Sequence, residues 1–212
     1  MDREYQINTF TRLSRVSRET IRSLNEYENL LIKANKSLNL IGKSTINQIW
    51  YRHFLDAFQV IDFIDKNDNN LIDLGSGAGF PGLILAIAAK DRNIPIKVTL
   101  IEKSKKKTYF LNEVNKKLNL NARIICQNIL DDDKKISGDV FVARAFKPFQ
   151  IILKLIHNKV ANYKKFFVFL GKTGSQELLQ ASKKWHIKYK QRMSITSDDS
   201  FIVEINKLKK IN

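Results

Sequence analysis

Apolar positions recur at spacings of three and four over residues 10–38, through Leu13, Val16, Thr20, Leu24, Tyr27, Leu31 and Ala34. That is the period of an amphipathic helix. Arg12, Arg15, Glu19, Arg22 and Glu26 fill the other faces, so the stretch reads as one helix or two short ones packed on a core. Gly42 is the predicted stop. A second helical pattern starts after Ser44 or Thr45, either of which can cap it. It runs through Ile46, Ile49, Trp50, Phe54, Leu55, Phe58, Ile61 and Ile64. The polar run 65–70 is then a surface turn.

From residue 71 the pattern changes to short apolar runs alternating with helical stretches. Strands are predicted over 71–74, 97–102, 122–126, 139–143 and 166–170. Helices are predicted over 81–90, 104–118, 149–159 and 177–185, with Tyr109, Phe110, Val114 and Leu118 inward on the second. Segments 187–193 and 201–205 read as a closing hairpin with 197–200 as its turn. Such alternation predicts an α/β fold, a mostly parallel sheet with helices on both faces. The predicted organisation is an N-terminal helical extension, residues 1–66, on a single unit formed by 67–212. There is no internal repeat and no interdomain linker.

Composition narrows the class. The chain has 212 residues, 43% hydrophobic and 27% charged, as an ordinary globular protein does. No run approaches the ~20 apolar residues of a membrane span, and the N-terminus lacks a secretory layout. The single cysteine, Cys126, can neither form an internal disulfide nor build a metal site, and its apolar strand makes it a small core residue. A cytoplasmic protein is expected. The net charge of +16 is unevenly spread: +1 over residues 1–70, +5 over 71–138 and +10 over 139–212. An excess concentrated at the C-terminal end predicts a polyanionic partner, against the plainer reading of a lysine-rich composition that solvates the surface.

The candidate chemistry centres on residues 71–82, Leu-Ile-Asp-Leu-Gly-Ser-Gly-Ala-Gly-Phe-Pro-Gly. Gly75, Gly77, Gly79 and Gly82 are four of only eight glycines in the chain. A strand, a glycine turn and a helix start, with Pro81 in the first helical turn, build a nucleotide-binding corner whose free backbone N–H groups face the ligand. Gly77-Ala78-Gly79-Phe80-Pro81-Gly82 matches the dinucleotide pattern G-x-G-x-x-G. Asp73 followed by Gly75-x-Gly77-x-Gly79 equally resembles the first motif of class I S-adenosylmethionine-dependent methyltransferases. Glu102 ends the next strand, where a carboxylate accepts from both hydroxyls of a ribose in either site. Lys103, Lys105, Lys106 and Lys107 crowd a helix N-terminus against its macrodipole, which suggests a phosphate-bearing partner. The acids Asp131, Asp132 and Asp133 lack the spacing of a metal site and read as a solvated turn. Arg144 ends the strand over 139–143 and so faces the same crevice. His53 and Asp56, three apart on one helical face, can meet each other or a common ligand, although a histidine among apolar residues is more often a packing residue.

Four stretches together carry a family resemblance: Asn39-Leu40-Ile41, Arg52-His53-Phe54-Leu55-Asp56, Asp73 through Gly82, and Ala143-Arg144-Ala145-Phe146. They resemble the small-subunit (16S) ribosomal RNA guanine-N7 methyltransferases, the RsmG or glucose-inhibited division protein B family. Leu100-Ile101-Glu102 and Leu170-Gly171-Lys172 add weaker support, and the likeness spans essentially the whole chain. It implies a class I methyltransferase (Rossmann-like) fold, S-adenosyl-L-methionine as cofactor, and 16S rRNA or the small ribosomal subunit as partner, met by a monomer that needs no metal. It implies cofactor contacts by Gly75 and Phe80, by Leu130 and Asp131 at the adenine, and by Arg144. Asp73, Gly77 and Gly79 share the motif, and Glu102 takes the ribose by similarity to class I enzymes. Arg144, His53 and Asp56 are positioning candidates, and Lys105, Lys106, Lys107, Lys147 and Lys172 are candidates for RNA. The chain departs from the family at Glu102, where aspartate is common, at Ala57, where serine is usual, and at Leu170-Gly171-Lys172, usually Leu-Lys-Gly. Alternatives are a small-molecule methyltransferase, a nicotinamide-dependent oxidoreductase and a non-enzymatic RNA-binding module.

Overall fold

The computed structural model describes residues 1–131 and 134–211. Asp132 and Asp133 therefore lie outside the described residues. Two helices open the chain, α1 (Arg3–Ser14) and α2 (Arg18–Leu38). Asp2 caps the first by accepting from the Tyr5 N–H at 2.8 Å, and Ser17 caps the second through Thr20 at 3.2 Å. The break at Arg15, which is left-handed at φ 54°, resets the helical phase and leaves Leu13 exposed rather than inward. Asn39, left-handed at φ 47°, ends α2 in place of the predicted Gly42.

Residues 43–63 are helical but irregular: 3₁₀ turns over Lys43–Gln48, a π-helical stretch over Trp50–Leu55, one α-turn, α3 (Asp56–Phe58), and 3₁₀ turns over Gln59–Phe63. Gly42 stands at its N-terminus, with neither Ser44 nor Thr45 as a cap. Thr45 instead donates its hydroxyl to the Gly42 carbonyl at 2.9 Å.

Strands and helices then alternate: β1 (Asn70–Leu74), α4 (Gly82–Asp91), β2 (Lys97–Glu102), α5 (Lys105–Lys117), β3 (Arg123–Cys126), β4 (Ile136–Ser137), β5 (Val140–Arg144), α6 (Phe149–Lys159), β6 (Val160–Asn162), β7 (Lys165–Leu170), α7 (Gly174–Ser182), β8 (Trp185–Ser194) and β9 (Ser197–Lys210). Seven of these strands form one sheet in the order β3-β2-β1-β5-β7-β9-β8, while β4 and β6 make a small separate pair. The first five strands of the sheet run parallel, and β9 and β8 close it antiparallel. The hairpin turn falls at Ile195-Thr196, earlier than the predicted 197–200, which belong to β9.

Apolar clusters cover both faces. On one, Tyr27, Trp50 and Phe54 of the N-terminal segments share a core with Leu83 and Ile84 of α4, Phe110 and Val114 of α5, and Leu71 and Val142 of the sheet. On the other, Phe149 and Leu153 of α6 and Leu178 of α7 pack on Phe141, Phe166 and Val203. Two inward assignments are corrected. Tyr109 is 76% exposed, because Phe110, Leu111 and Val114 form the buried stripe of α5. Cys126 is exposed, because β3 is an edge strand. Among the described residues no helix is long and apolar enough to cross a membrane.

Candidate functional site

The C-terminal ends of β1, β2 and β5 border a cavity of about 400 Å³, lined by Gly75–Ala78, Phe80, Ile101–Lys103, Lys107, Gln127–Ile129 and Arg144–Lys147, with Leu40–Gly42 and His53 closing one side. This is the crevice where open parallel sheets bind ligands, and its size suits a nucleoside-like molecule.

The glycine loop holds its shape through its own hydrogen bonds. The N–H groups of Gly75 and Ser76 donate to the Ile101 carbonyl at 2.8 and 3.3 Å, and those of Gly79 and Phe80 to the Ser76 carbonyl at 2.7 and 3.1 Å. Gly77 N–H donates to Glu102 Oε2 at 2.9 Å. Gly82 N–H, the first of α4, donates to Asp73 Oδ2 at 3.0 Å, and that of Leu83 to the Gly79 carbonyl at 2.8 Å. The expectation of free N–H groups aimed at a ligand is thus corrected at each of these positions. A pyrophosphate needs those donors; here a carboxylate already occupies the helix start.

Each glycine has its own reason. Gly75, Gly77 and Gly79 have φ of +72°, +56° and +96°, in the left-handed region that glycine adopts without strain. A Cβ at Gly79 would lie 2.4 Å from the Tyr27 hydroxyl, and one at Gly82 2.6 Å from Asp73 Oδ2. These two serve packing under the loop. A Cβ at Gly75 would fall 2.1 Å from the Phe146 ring, whereas one at Gly77 meets nothing closer than 3.9 Å. The space over Gly77 is therefore open to the cavity.

Asp73 is fully buried beneath the loop, does not line the cavity, and leaves Oδ1 without a partner among the described residues. Burial, with Glu102 adding repulsion, pushes its carboxyl up to about 7. Glu102 does line the cavity. Its Oε2 accepts from Gly77 and its Oε1 from the Ser104 N–H at 2.8 Å. A carboxylate offers about four lone-pair sites, so each oxygen keeps one for a ligand.

Arg144, His53 and Asp56 come together, although His53 and Asp56 meet through the arginine rather than directly. Arg144 Nε pairs with Asp56 Oδ2 at 3.0 Å, Nη2 donates to the Arg52 carbonyl at 2.7 Å, and both Nη atoms lie 3.3 Å from His53 Nδ1. A cationic neighbour at Nδ1 makes that nitrogen the acceptor. The ring proton is then on Nε2, donated to Thr45 Oγ1 at 2.9 Å. Burial first, then Arg144 and Arg52, pushes the imidazole down to about 3, so it is neutral near pH 7. The ring stacks on Phe80 at 5.1 Å. Asp56 Oδ1 accepts from Ser194 and Thr196 at 2.9 and 3.0 Å, which ties the β8–β9 turn to the N-terminal segment.

Of the remaining predicted residues, Lys107 and Lys147 line the cavity, while Lys105, Lys106 and Lys172 are exposed outside it. Leu130 and Asp131 do not line it either. A tight turn draws the Asp131 carboxylate to Asn128 Nδ2 at 2.6 Å and the Leu130 carbonyl to Lys159 at 2.8 Å, leaving Gln127, Asn128 and Ile129 on the wall. Sequence reasoning missed these three, together with Phe146 and Tyr27, whose hydroxyl donates to the Ala78 carbonyl behind the loop, while Lys103 of the predicted lysine cluster does line the cavity. Among the described residues no group of three or more His, Cys, Asp or Glu converges as a metal site would need.

Comparison with known proteins places the chain in a family. The family described as rRNA small subunit methyltransferase G matches residues 20–202. Ribosomal RNA small subunit methyltransferase G of Pelagibacter ubique (strain HTCC1062) is 40% identical over 93% of this chain and 93% of its own. The protein of the same name from Rickettsia prowazekii (strain Madrid E) is 38% identical over 93% and 99%. Among solved structures, M. capricolum TrmK with S-adenosyl-homocysteine superposes with a TM-score of 0.53 at 20% identity, over 71% of this chain and 67% of that one. A mutant of MtNAS in complex with S-adenosylmethionine gives 0.59 at 13% identity, over 87% and 74%. Those two likenesses establish the fold alone. The extent and level of the sequence matches establish more: this chain belongs to the rRNA small subunit methyltransferase G family.

Proposed function

We propose that this protein transfers a methyl group from S-adenosyl-L-methionine to N7 of a guanine in 16S ribosomal RNA. The polarity of the cavity carries this reading. A carboxylate, Glu102, lines it with acceptor capacity to spare for ribose hydroxyls, Lys103, Lys107 and Lys147 stand around it, and the histidine of the lining, His53, has both ring nitrogens engaged. Consumed loop donors and the Asp73 carboxylate at the start of α4 count against a dinucleotide pyrophosphate and suit a cofactor without one.

The residues present fit that cofactor. Glu102 would accept from the ribose hydroxyls, Asn128 and Ile129 would flank the adenine in place of Leu130 and Asp131, and open space over Gly77 with Gly75 and Phe80 nearby would take the methionine part. When bound, the cofactor supplies an electrophilic methyl on a sulfonium. N7 of guanine carries an in-plane lone pair and no proton, so the transfer needs no base. His53, neutral with both ring nitrogens engaged, offers none. What the chain contributes is orientation, which can be worth ~7–11 kcal/mol, through the rigid cluster of Asp56, Arg144, His53 and Phe80. The protein acts as a monomer in this reading, and rRNA modification suits the cytoplasm. Separate titrations with S-adenosylmethionine and with NAD(P)H test the cofactor. Saturable binding of the first alone is expected, and tight binding of the second overturns the reading.

A further inference from the structure

Beyond Ile205, β9 has left β7 and pairs only with β8, so the sheet continues as a two-stranded ribbon. Because β9 runs antiparallel to β7, this ribbon lies at the end of the sheet opposite the cavity. Alternate residues share a face, and on one face of β8 stand His186, Lys188, Lys190 and Arg192. Toward the cavity that face is neutralised, since Arg192 and Lys190 reach Glu204 at 2.8 and 4.0 Å. Farther out it is not. Lys188 is directly opposite Lys207, and Lys209 is opposite His186. All three lysines are exposed, and among the described residues none forms an ion pair. They border an open groove of about 800 Å³ whose wall also includes Tyr163, Asn206 and the apolar pair Ile187 and Leu208.

Like charges directly opposite across a strand pair destabilise it, and no packing gain offsets them here. Lysines on an edge strand do discourage unwanted strand addition. In the ribbon both strands have a free edge, so that reason extends to Lys207 and Lys209, but one lysine on each edge would serve it, and three unpaired cations gathered on one face exceed it. We propose that this ribbon is a docking surface for the phosphodiester backbone of the rRNA substrate, separate from the cavity. The proposal rests on the substrate reading above.

The test compares the full-length wild type with a Lys188→Gln/Lys207→Gln/Lys209→Gln variant in binding to naked small-subunit rRNA across a salt series. Each phosphate neutralised contributes about 0.7–0.9 to the log–log slope, so the variant should lose about 2–3 of it. It should keep S-adenosylmethionine affinity and melt no lower than the wild type. An Arg12→Gln/Arg18→Gln/Lys33→Gln variant removes equal charge from α1 and α2 and should lose less than half as much slope. Equal losses in the two variants, or an unchanged slope in the first, overturn the surface. So does self-association of the ribbon variant with its slope unchanged, which would mark the lysines as edge protection. A wild type that methylates rRNA while the variant keeps its slope overturns the surface alone. The expected slope loss in a protein that transfers no methyl to rRNA supports the surface and overturns the substrate reading.

Discussion

Gly77 is the residue where the fold leaves room and a ligand would take it. A Cβ there clashes with nothing, and its φ of +56° costs an alanine about 1–2 kcal/mol. Gly77→Ala should therefore fold, melt a few degrees lower and bind S-adenosylmethionine at least tenfold more weakly by calorimetric titration; unchanged affinity would remove Gly77 from the site. Gly75→Val is a poorer probe, because its side chain must also displace Phe146. His53 and Asp73 make a second prediction through their opposed titrations. The folded protein keeps His53 unprotonated between its ordinary 6.5 and about 3, so its contribution to stability falls as pH falls through that window. It keeps Asp73 protonated between 3.8 and about 7, so that contribution rises as pH falls. Between about 4 and 6.5 the two offset each other. Asp73→Asn removes one of them, and urea unfolding should show the variant losing up to about 1.4 kcal/mol per pH unit relative to wild type on acidification. Parallel pH profiles would contradict the assignment.

At the scale of elements, α2 holds the glycine loop from behind. Tyr27 donates to the Ala78 carbonyl and sits where any Cβ on Gly79 would lie. Tyr27→Phe strands that buried carbonyl, which should cost ~1–3 kcal/mol in chemical unfolding and loosen cofactor binding; full stability would mean that the clamp does not hold the loop. None of this was legible in the chain, where Tyr27 is one apolar position among seven of a helical pattern. Local periodicity did give the alternation after residue 71 and the full extents of β2 and α6, because each lies in a continuous run with clear ends. It failed where geometry departs from the regular period, as in the mixed 3₁₀ and π turns of 43–63. It also failed where contacts span the chain, as between Asp56 and Thr196, 140 residues apart. The glycine motif identified the corner and not its electrostatics. That four glycines serve three purposes, turn, packing and open space, depends on neighbours that no spacing encodes. Leu130 and Asp131 show the same limit, since a tight turn moved the cavity wall to the residues just before them.

For the whole molecule, the uneven charge and the cavity beside the glycine loop have to be read together. The net +10 of residues 139–212 is not gathered at the cavity, where only Arg144 and Lys147 come from that region. Part of it lies on the ribbon at the far end of the sheet, so the molecule presents cations at both ends to a substrate large enough to span them. A small-molecule methyltransferase would have no use for that arrangement, and strong salt dependence of rRNA binding separates the two. The family, the Glu102 carboxylate in the lining and the engaged His53 converge on one reaction. The direct measurement is to incubate the purified protein with S-adenosylmethionine and with small-subunit rRNA or subunits lacking the modification, then map the product by mass spectrometry. The account predicts a single added methyl at N7 of one guanine. Methyl transfer to another atom or base, or none by protein that binds the cofactor, would contradict it.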